Sequence, residues 1–153
     1  MQSATDDPLT DRRDWMGLLA RASAGRLAGL WADSGLSTEA QWLRRPEIGS
    51  VMVRGRTGGT GAPFNLGETT VTRCSLRLAD GRVGHAYVSG RDRRKAEIAA
   101  LCDALMQGPE DAPRVRAAIL VPLAREEADA REGVSARAEA TRVEFFTLVR
   151  GED

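Results

Sequence analysis

The sequence predicts an α+β domain made of N-terminal helices, an antiparallel β-sheet with a glycine-rich loop, and C-terminal helices and a closing strand. Apolar residues recur at helical spacing in the first 35 residues and again beyond residue 92. Between these regions the apolar and polar residues alternate, and Asp80-Gly81 separates two strand-like segments. We therefore expect residues 11–153 to form a single domain after a flexible N-terminus of residues 1–10.

Two short helices are expected first. The spacing of Trp15, Leu18 and Leu19 predicts an amphipathic helix that starts at Asp11. Ser23 is a suitable N-cap for a second helix. That helix buries Leu27, Leu30 and Trp31 and ends at Gly35.

The sheet is expected to contain four strand segments before the C-terminal helices, at 41–45, 48–56, 69–79 and 82–89. Pro46 closes the first segment, and the glycine-rich loop at 57–67 follows the second. A two-residue type I′ turn at Asp80-Gly81 would place Leu76 opposite His85. In that register the apolar face contains Cys74, Leu76, Leu78, Val83, His85 and Tyr87. The opposite face, which is rich in arginine, contains Arg73, Ser75, Arg77, Arg82, Gly84 and Ala86.

The C-terminal third is predicted to be mainly helical. One helix begins at Ser89 or Asp92 and reaches about Gln107, and another begins near Pro113 and is kinked at Pro122. Residues 125–141 form a charged, alanine-rich helix that is either solvated or in contact with a partner. The last strand, 143–149, is apolar on both faces, which indicates burial by helices or by another chain.

The charge distribution indicates an anionic ligand or a complementary protein surface. Residues 44–95 contain eleven cations and four anions, a net charge of +7, while the remaining residues sum to −7. Nucleic acid is not expected because aromatic residues do not alternate with the cations. The sequence contains no apolar run long enough for a membrane span and no export signal. The isolated thiols Cys74 and Cys102 suggest core packing in a reducing cytoplasm.

The central glycine-rich stretch contains most of the candidate binding residues. Its glycines allow close backbone approach, and the neighbouring arginines are suited to an anion or to a partner subunit. It matches neither the P-loop nor the dinucleotide-binding pattern, so a long turn that uses glycine only for geometry is the alternative. The candidates for ligand or partner binding are Arg54, Arg56, Gly58, Gly59, Thr60, Gly61, Asn65, Glu68 and Arg73.

A second candidate region is the predicted helix start after residue 90. Arg91, Arg94 and Lys95 lie where a helix N-terminus can bind a phosphate, although a solvated charged turn or a salt-bridging surface fits equally well. His85, the single histidine, is interpreted as a hydrogen-bonded core residue, with a catalytic base as the alternative. Apart from this alternative role of His85, no catalytic residue is assigned. A metal site is not expected from one histidine and two cysteines.

Four segments resemble the PhnG family, the G subunit of the bacterial carbon–phosphorus lyase system. They are residues 15–21 (WMGLLAR), 51–74 (VMVRGRTGGTGAPFNLGETTVTRC), 84–97 (GHAYVSGRDRRKAE) and 143–151 (VEFFTLVRG). The resemblance extends from about residue 12 to 153 and is weakest in 125–141.

This resemblance implies an accessory role in phosphonate use. The family acts in a complex that joins methylphosphonate to ATP, giving α-D-ribose 1-methylphosphonate 5-triphosphate and adenine. Its partners are the PhnI, PhnH, PhnJ and PhnL proteins, and the nucleosidase-type chemistry is credited to PhnI. The chain is thus expected to belong to a transferase complex, to be inactive alone, and to bind no cofactor by itself, with ATP as the complex's co-substrate.

Three hypotheses remain open. In the first, the chain is an accessory subunit whose loop and arginine-rich turn shape a composite site. In the second, it binds the nucleotide triphosphate itself through Arg56, the loop glycines and residues 91–95. In the third, it is a purely scaffolding subunit without contact to substrate.

Overall fold

A computed structural model describes residues 9–142, and these residues form an α+β fold in the predicted order. Helix α1, Arg12–Arg21, begins after Asp11, whose carboxylate accepts a hydrogen bond from the Arg13 N–H. Helix α2, Ala24–Ser34, is capped by Ser23 and ends at Gly35, where φ is 64°. The predicted helix starts and the glycine stop are therefore confirmed. Leu9 is buried and joins the core.

Within residues 9–142, three strands form one antiparallel sheet in the order β1-β2-β3: β1 is Ala40–Arg56, β2 is Pro63–Leu78 and β3 is Val83–Ser89. The two predicted segments at 41–45 and 48–56 are one continuous strand. Pro46 lies within it, at a register irregularity between Arg44 and Glu47. Since β1 is an edge strand, proline costs no central ladder hydrogen bond there.

The β1–β2 hairpin extends well beyond the part of β2 that pairs with β3. β1 and β2 pair from Ala40 opposite Leu78 to Arg56 opposite Pro63, whereas β3 pairs only with residues 71–77 of β2. We call residues 50–70 the hairpin arm. None of its residues is buried, so the arm projects beyond the core.

The predicted register between β2 and β3 is wrong by one residue. Ser75, and not Leu76, lies opposite His85, and Arg73 lies opposite Tyr87. The connection is longer than the predicted two-residue turn because the Leu78 N–H donates to the Arg82 carbonyl, leaving three residues between them. Gly81 has φ 93°, as expected of the left-handed residue in a three-residue hairpin loop.

As a result, the two faces of β3 are exchanged relative to the prediction. The inner face holds Gly84, Ala86 and Val88 beside Cys74, Leu76 and Leu78, all of them buried. His85 and Tyr87 are exposed on the outer face.

Helix α3, Arg93–Met106, covers the inner face of the sheet. A side chain at Gly84 would collide with the backbone of Ala100 in this helix, so glycine permits the close approach of α3 to β3. Asp92 caps α3 through the Lys95 N–H. The helix start and the stripe of Ile98, Leu101, Cys102 and Leu105 are confirmed.

The C-terminal helices consist of α4 (Ala112–Val115), a π-helical turn (Arg116–Leu120) and α5 (Val121–Ala140). The π turn ends at Leu120, two residues before Pro122, and accounts for the predicted irregularity, since proline cannot fit a regular helix interior. Most of α5 is exposed, and Leu123 is its one buried residue. The predicted closing strand at 143–149 lies outside the described residues.

Candidate functional site

The glycine-rich connection at the tip of the hairpin arm is shorter than predicted. β2 begins at Pro63, so only residues 57–62 join the strands, and Asn65 and Glu68 belong to β2. Gly58 and Gly59 have φ values of 60° and 82°, and a side chain at Gly61 would collide with the Thr57 carbonyl, to which the Gly61 N–H donates at 2.8 Å. These three glycines are therefore needed for the turn itself, whatever the connection binds.

The polar candidates on the arm are all exposed and make only local contacts. Arg54 is registered opposite Asn65, and the Arg56 Nη1 donates to the Gly61 carbonyl at 3.2 Å. Glu68 accepts a hydrogen bond from the Ser50 hydroxyl at 3.2 Å, and Thr60 is exposed at the tip. These side chains remain candidates for ligand or partner contacts.

The arm also exposes several large apolar side chains. Phe64 is 45% exposed and Leu66 63%, and both lie against Gly55 on the opposite strand. Met52 and Val53 on β1 are 53% and 38% exposed. Exposed apolar groups that cluster on a projecting element are typical of a protein contact surface.

The structure does not bring the arm tip and the start of α3 together. β3 ends at Ser89 opposite Val71, eight residues along β2 from Pro63. At about 3.3 Å per residue, the tip lies roughly 25 Å along the strand from the point where β3 ends and α3 begins. A nucleotide held jointly by the loop and by residues 91–95 would have to span this separation.

At the start of α3 the cations have different environments. Lys95 is buried, and its ammonium donates to the carbonyls of Ala20 and Ser89 at 2.9 and 3.0 Å and to the Ser89 hydroxyl at 3.3 Å. Burial lowers the pKa of this ammonium. Lys95 therefore joins α1 to β3 and is a structural residue. Arg94 pairs with Glu97 at 2.7 Å, and Arg91 is exposed.

The outer face of the sheet gathers cations around one hydroxyl–imidazole pair. The Ser75 Oγ and the His85 Nδ1 lie 2.8 Å apart, and Arg44 is registered opposite Ser75 on the other side. Arg73 and Arg77 lie two residues before and after Ser75, so they share its face. We call Arg44, Arg73, Ser75, Arg77 and His85 the cationic face.

His85 is thus not the core histidine that the sequence suggested. No carboxylate among residues 9–142 hydrogen-bonds its ring, so the Ser75–His85 pair lacks the third group that orients a catalytic base. Arg82, predicted on the same face, is also placed differently. Its guanidinium binds Asp80 and Asp111, each at 2.7 Å, and donates to carbonyls at the end of α3.

A buried carboxylate that the sequence analysis missed organises the interior. Asp103 is fully buried and accepts two hydrogen bonds from Arg12, one from the Trp15 indole and one from the His85 backbone N–H, at 2.7–3.0 Å. The available signal was a carboxylate within the apolar stripe of α3, since buried charges require partners. This network connects α1, α3 and β3.

The two thiols and the described acidic groups offer little reactivity. Burial raises the pKa of Cys74 to about 12 and also raises the pKa of Cys102, so both stay protonated near neutral pH. Among residues 9–142, no three His, Cys, Asp or Glu side chains are grouped so that they could hold a metal ion. The helices within this range are also too short or too polar to span a bilayer.

Comparison with known proteins identifies the family. The model of the family described as phosphonate metabolism protein PhnG matches residues 10–151. The chain belongs to the PhnG family. It is 45% identical over 152 residues to the alpha-D-ribose 1-methylphosphonate 5-triphosphate synthase subunit PhnG of Rhizobium meliloti (strain 1021), an alignment that covers 99% of this chain and 97% of the relative. The match includes the hairpin arm, the cationic face and the Asp103 network of this PhnG-family chain.

Proposed function

We propose that the chain is an accessory subunit of an assembly that makes α-D-ribose 1-methylphosphonate 5-triphosphate, and that it has no turnover alone. The full-length similarity to a synthase subunit of that name carries the proposal. In this proposal the assembly couples methylphosphonate to ATP and releases adenine in the cytoplasm. PhnI, PhnH, PhnJ and PhnL-type proteins are the proposed partners.

The hairpin arm is the proposed element for contact with a partner subunit. It combines exposed apolar side chains, such as Phe64 and Leu66, with the forked donors of Arg54 and Arg56. Interface cores favour aromatic, methionine and arginine side chains, and the arm presents all three types. Within residues 9–142 no strand pairs with the outer edge of β1, so its backbone groups are available to an incoming strand.

Two other roles remain alternatives for the candidate residues. A purely scaffolding subunit needs the arm contact but no contact with substrate. A subunit that binds the triphosphate itself would not use the arm tip and the start of α3 together, because these two regions lie far apart along the strand.

The arm is tested by co-expression with the PhnI-, PhnH- and PhnJ-type proteins and purification through a tag on this chain. The double variant Phe64→Ser/Leu66→Ser removes apolar surface without touching the core. Val134→Ser is the matched control, because Val134 is 62% exposed on α5. We expect the double variant to lose the partners and the control to retain them. Retention by both would refute the arm contact.

Adenine release with ATP and methylphosphonate tests the role of the subunit, with the PhnL-type protein added to the purified complex. The complete assembly should release adenine and the isolated chain should not. Release by the isolated chain would contradict the accessory role. A complex carrying Arg56→Ala and Thr60→Ala that assembles but fails to turn over would place the tip at the composite site, whereas normal turnover would support scaffolding. The glycines are poor choices for this test since alanine strains the turn at Gly58 and Gly59.

A further inference from the structure

The cationic face has a composition unlike that of the arm. Its central position is the Ser75–His85 pair, and three arginines surround that pair. Arg44 and Arg73 keep 47% and 53% of their side-chain surface exposed, and Arg77 is exposed and forms no ion pair within residues 9–142. Several permanent positive charges therefore lie open to solvent in one small area.

The sheet fixes the spacing of these groups. Arg44 and His85 flank Ser75 on the neighbouring strands, about 5 Å away between backbones, and Arg73 and Arg77 lie about 7 Å away along β2. Arg73 and Arg77 are therefore about 13 Å apart at the backbone. This spread is too wide for all groups to close on a single tetrahedral anion, but it suits a row of linked anionic groups.

A carboxylate of the chain already shows how these arginines hold an oxyanion. Glu47, opposite Arg73, accepts a hydrogen bond from Arg44 at 2.9 Å and pairs with Arg73 at 3.3 Å. The hydrogen bond from Arg44 is the main cause of its lowered pKa. The guanidiniums of Arg44 and Arg73 thus meet at Glu47 on one side of the cationic face. Within residues 9–142, Arg77 and the His85 ring pair with no carboxylate, so they are available to an external anion.

We propose that the cationic face binds a linked phosphate chain, with Arg73 and Arg77 as its main ligands and the Ser75–His85 pair between them. Guanidinium forks match phosphate oxygens, and a hydroxyl adds a neutral donor. The arginines and the half-exposed Tyr87 opposite Arg73 also suit a protein contact, but the central residues Ser75 and His85 are polar and like charges surround them, which favours an anionic occupant. This inference goes beyond the proposed function, since it requires no partner subunit.

The test is isothermal titration of the isolated full-length chain with tripolyphosphate, inorganic phosphate and methylphosphonate at low ionic strength. We expect saturable binding of tripolyphosphate that is tighter than binding of either single anion. An exposed ion pair is worth up to about a fivefold change in affinity and a hydrogen bond to a charged group about tenfold or more. Arg73→Ala and Arg77→Ala should therefore each weaken binding roughly fivefold to tenfold.

Glu47→Gln gives a prediction of opposite sign. Removing the internal carboxylate frees Arg44 and Arg73, so tripolyphosphate should bind about twofold to fivefold more tightly, the range expected for an exposed ion pair. Arg131→Ala is the matched control for Arg73→Ala and Arg77→Ala, because Arg131 is 72% exposed on α5 and its loss lowers the net charge by the same amount. Circular dichroism confirms that each variant is folded.

Several outcomes would overturn the proposal. One is that tripolyphosphate shows no saturable binding, and another is that Arg131→Ala weakens tripolyphosphate binding as much as Arg73→Ala and Arg77→Ala do. A third is that Arg91→Ala and Arg94→Ala weaken this binding while the variants on the cationic face do not. A face variant that binds tripolyphosphate normally but fails to assemble with partner subunits would make the face a protein contact. Loss of tripolyphosphate binding with intact assembly would support the proposal and leave the accessory role unaffected.

Discussion

Replacement of Asp103 by alanine tests whether the buried carboxylate holds α1, α3 and β3 together. The change removes all four hydrogen bonds that the Asp103 carboxylate accepts. The Arg12 side chain is 44% exposed and can turn to water, but the Trp15 indole and the His85 backbone N–H lose their acceptor. Each orphaned buried donor costs about 1–3 kcal/mol, so we expect a loss of roughly 3–5 kcal/mol in unfolding free energy.

For a chain of this length the loss corresponds to a fall of roughly 10–15 °C in Tm, from an unfolding entropy of about 2 cal/mol/K per residue. Urea denaturation followed by tryptophan fluorescence measures the free energy, and Trp15 lies in the network itself. Glu97→Ala is the control on the same helix, because Glu97 pairs only with the exposed Arg94 in the described structure and should cost less than about 1 kcal/mol. A loss below about 1 kcal/mol for Asp103→Ala, or equal losses for both variants, would refute the reasoning.

Three further predictions concern packing, thiol reactivity and pH. Gly84→Ala should cost about 2 kcal/mol or more in unfolding free energy because its methyl group meets the backbone of α3, whereas Gly29→Ala in α2 should stabilise by roughly 0.5–1 kcal/mol since the added methyl meets nothing. Urea titration checks both signs. Cys74, with a pKa of about 12, should not react with a thiol reagent at pH 8 until the chain unfolds, and fast reaction in the native state would contradict its burial. The hydrogen bond from Arg21 lowers the pKa of Glu127 in the folded chain. The contribution of this pair to the free energy of unfolding is therefore present above the unfolded-state pKa of Glu127 and is lost as pH falls through the lower folded-state pKa. Glu127→Gln should remove that part of the acid dependence in urea titrations across pH, and an unchanged dependence would exclude the pair as its source.

The local features of the fold could be predicted because they depend on near neighbours in the chain. Ser23, Gly35 and Asp92 mark helix ends through hydrogen bonds or backbone angles within a few residues. The length of the hairpin arm could not be predicted in this way. In sequence its residues resemble those of any antiparallel sheet, and within residues 9–142 the arm lacks a third strand because β3 is short.

The β2–β3 register shows how one residue can change a predicted site. Asp80-Gly81 fits both a two-residue turn and the end of a three-residue loop, so the dipeptide alone does not decide between them. The decision comes from packing. Gly84 and Ala86 on the inner face allow α3 to approach, whereas a register that places His85 and Tyr87 inside would push it away. The same shift moves His85 beside Ser75 and completes the cationic face.

The two edges of the sheet differ in a way that favours assembly through β1. On β3, the His85 N–H donates to Asp103 and the Val83 carbonyl accepts from the Gln107 amide at 2.8 Å, so side chains of α3 occupy this edge. On β1, Pro46 and the adjacent register irregularities interrupt the inner half of the edge. Within the described structure, residues 50–53 of β1 contain no proline and keep a regular register with β2, and the next irregularity lies between Val53 and Arg54. A strand from a partner subunit can therefore pair with residues 50–53 of β1, where it would lie beside the exposed side chains of the arm.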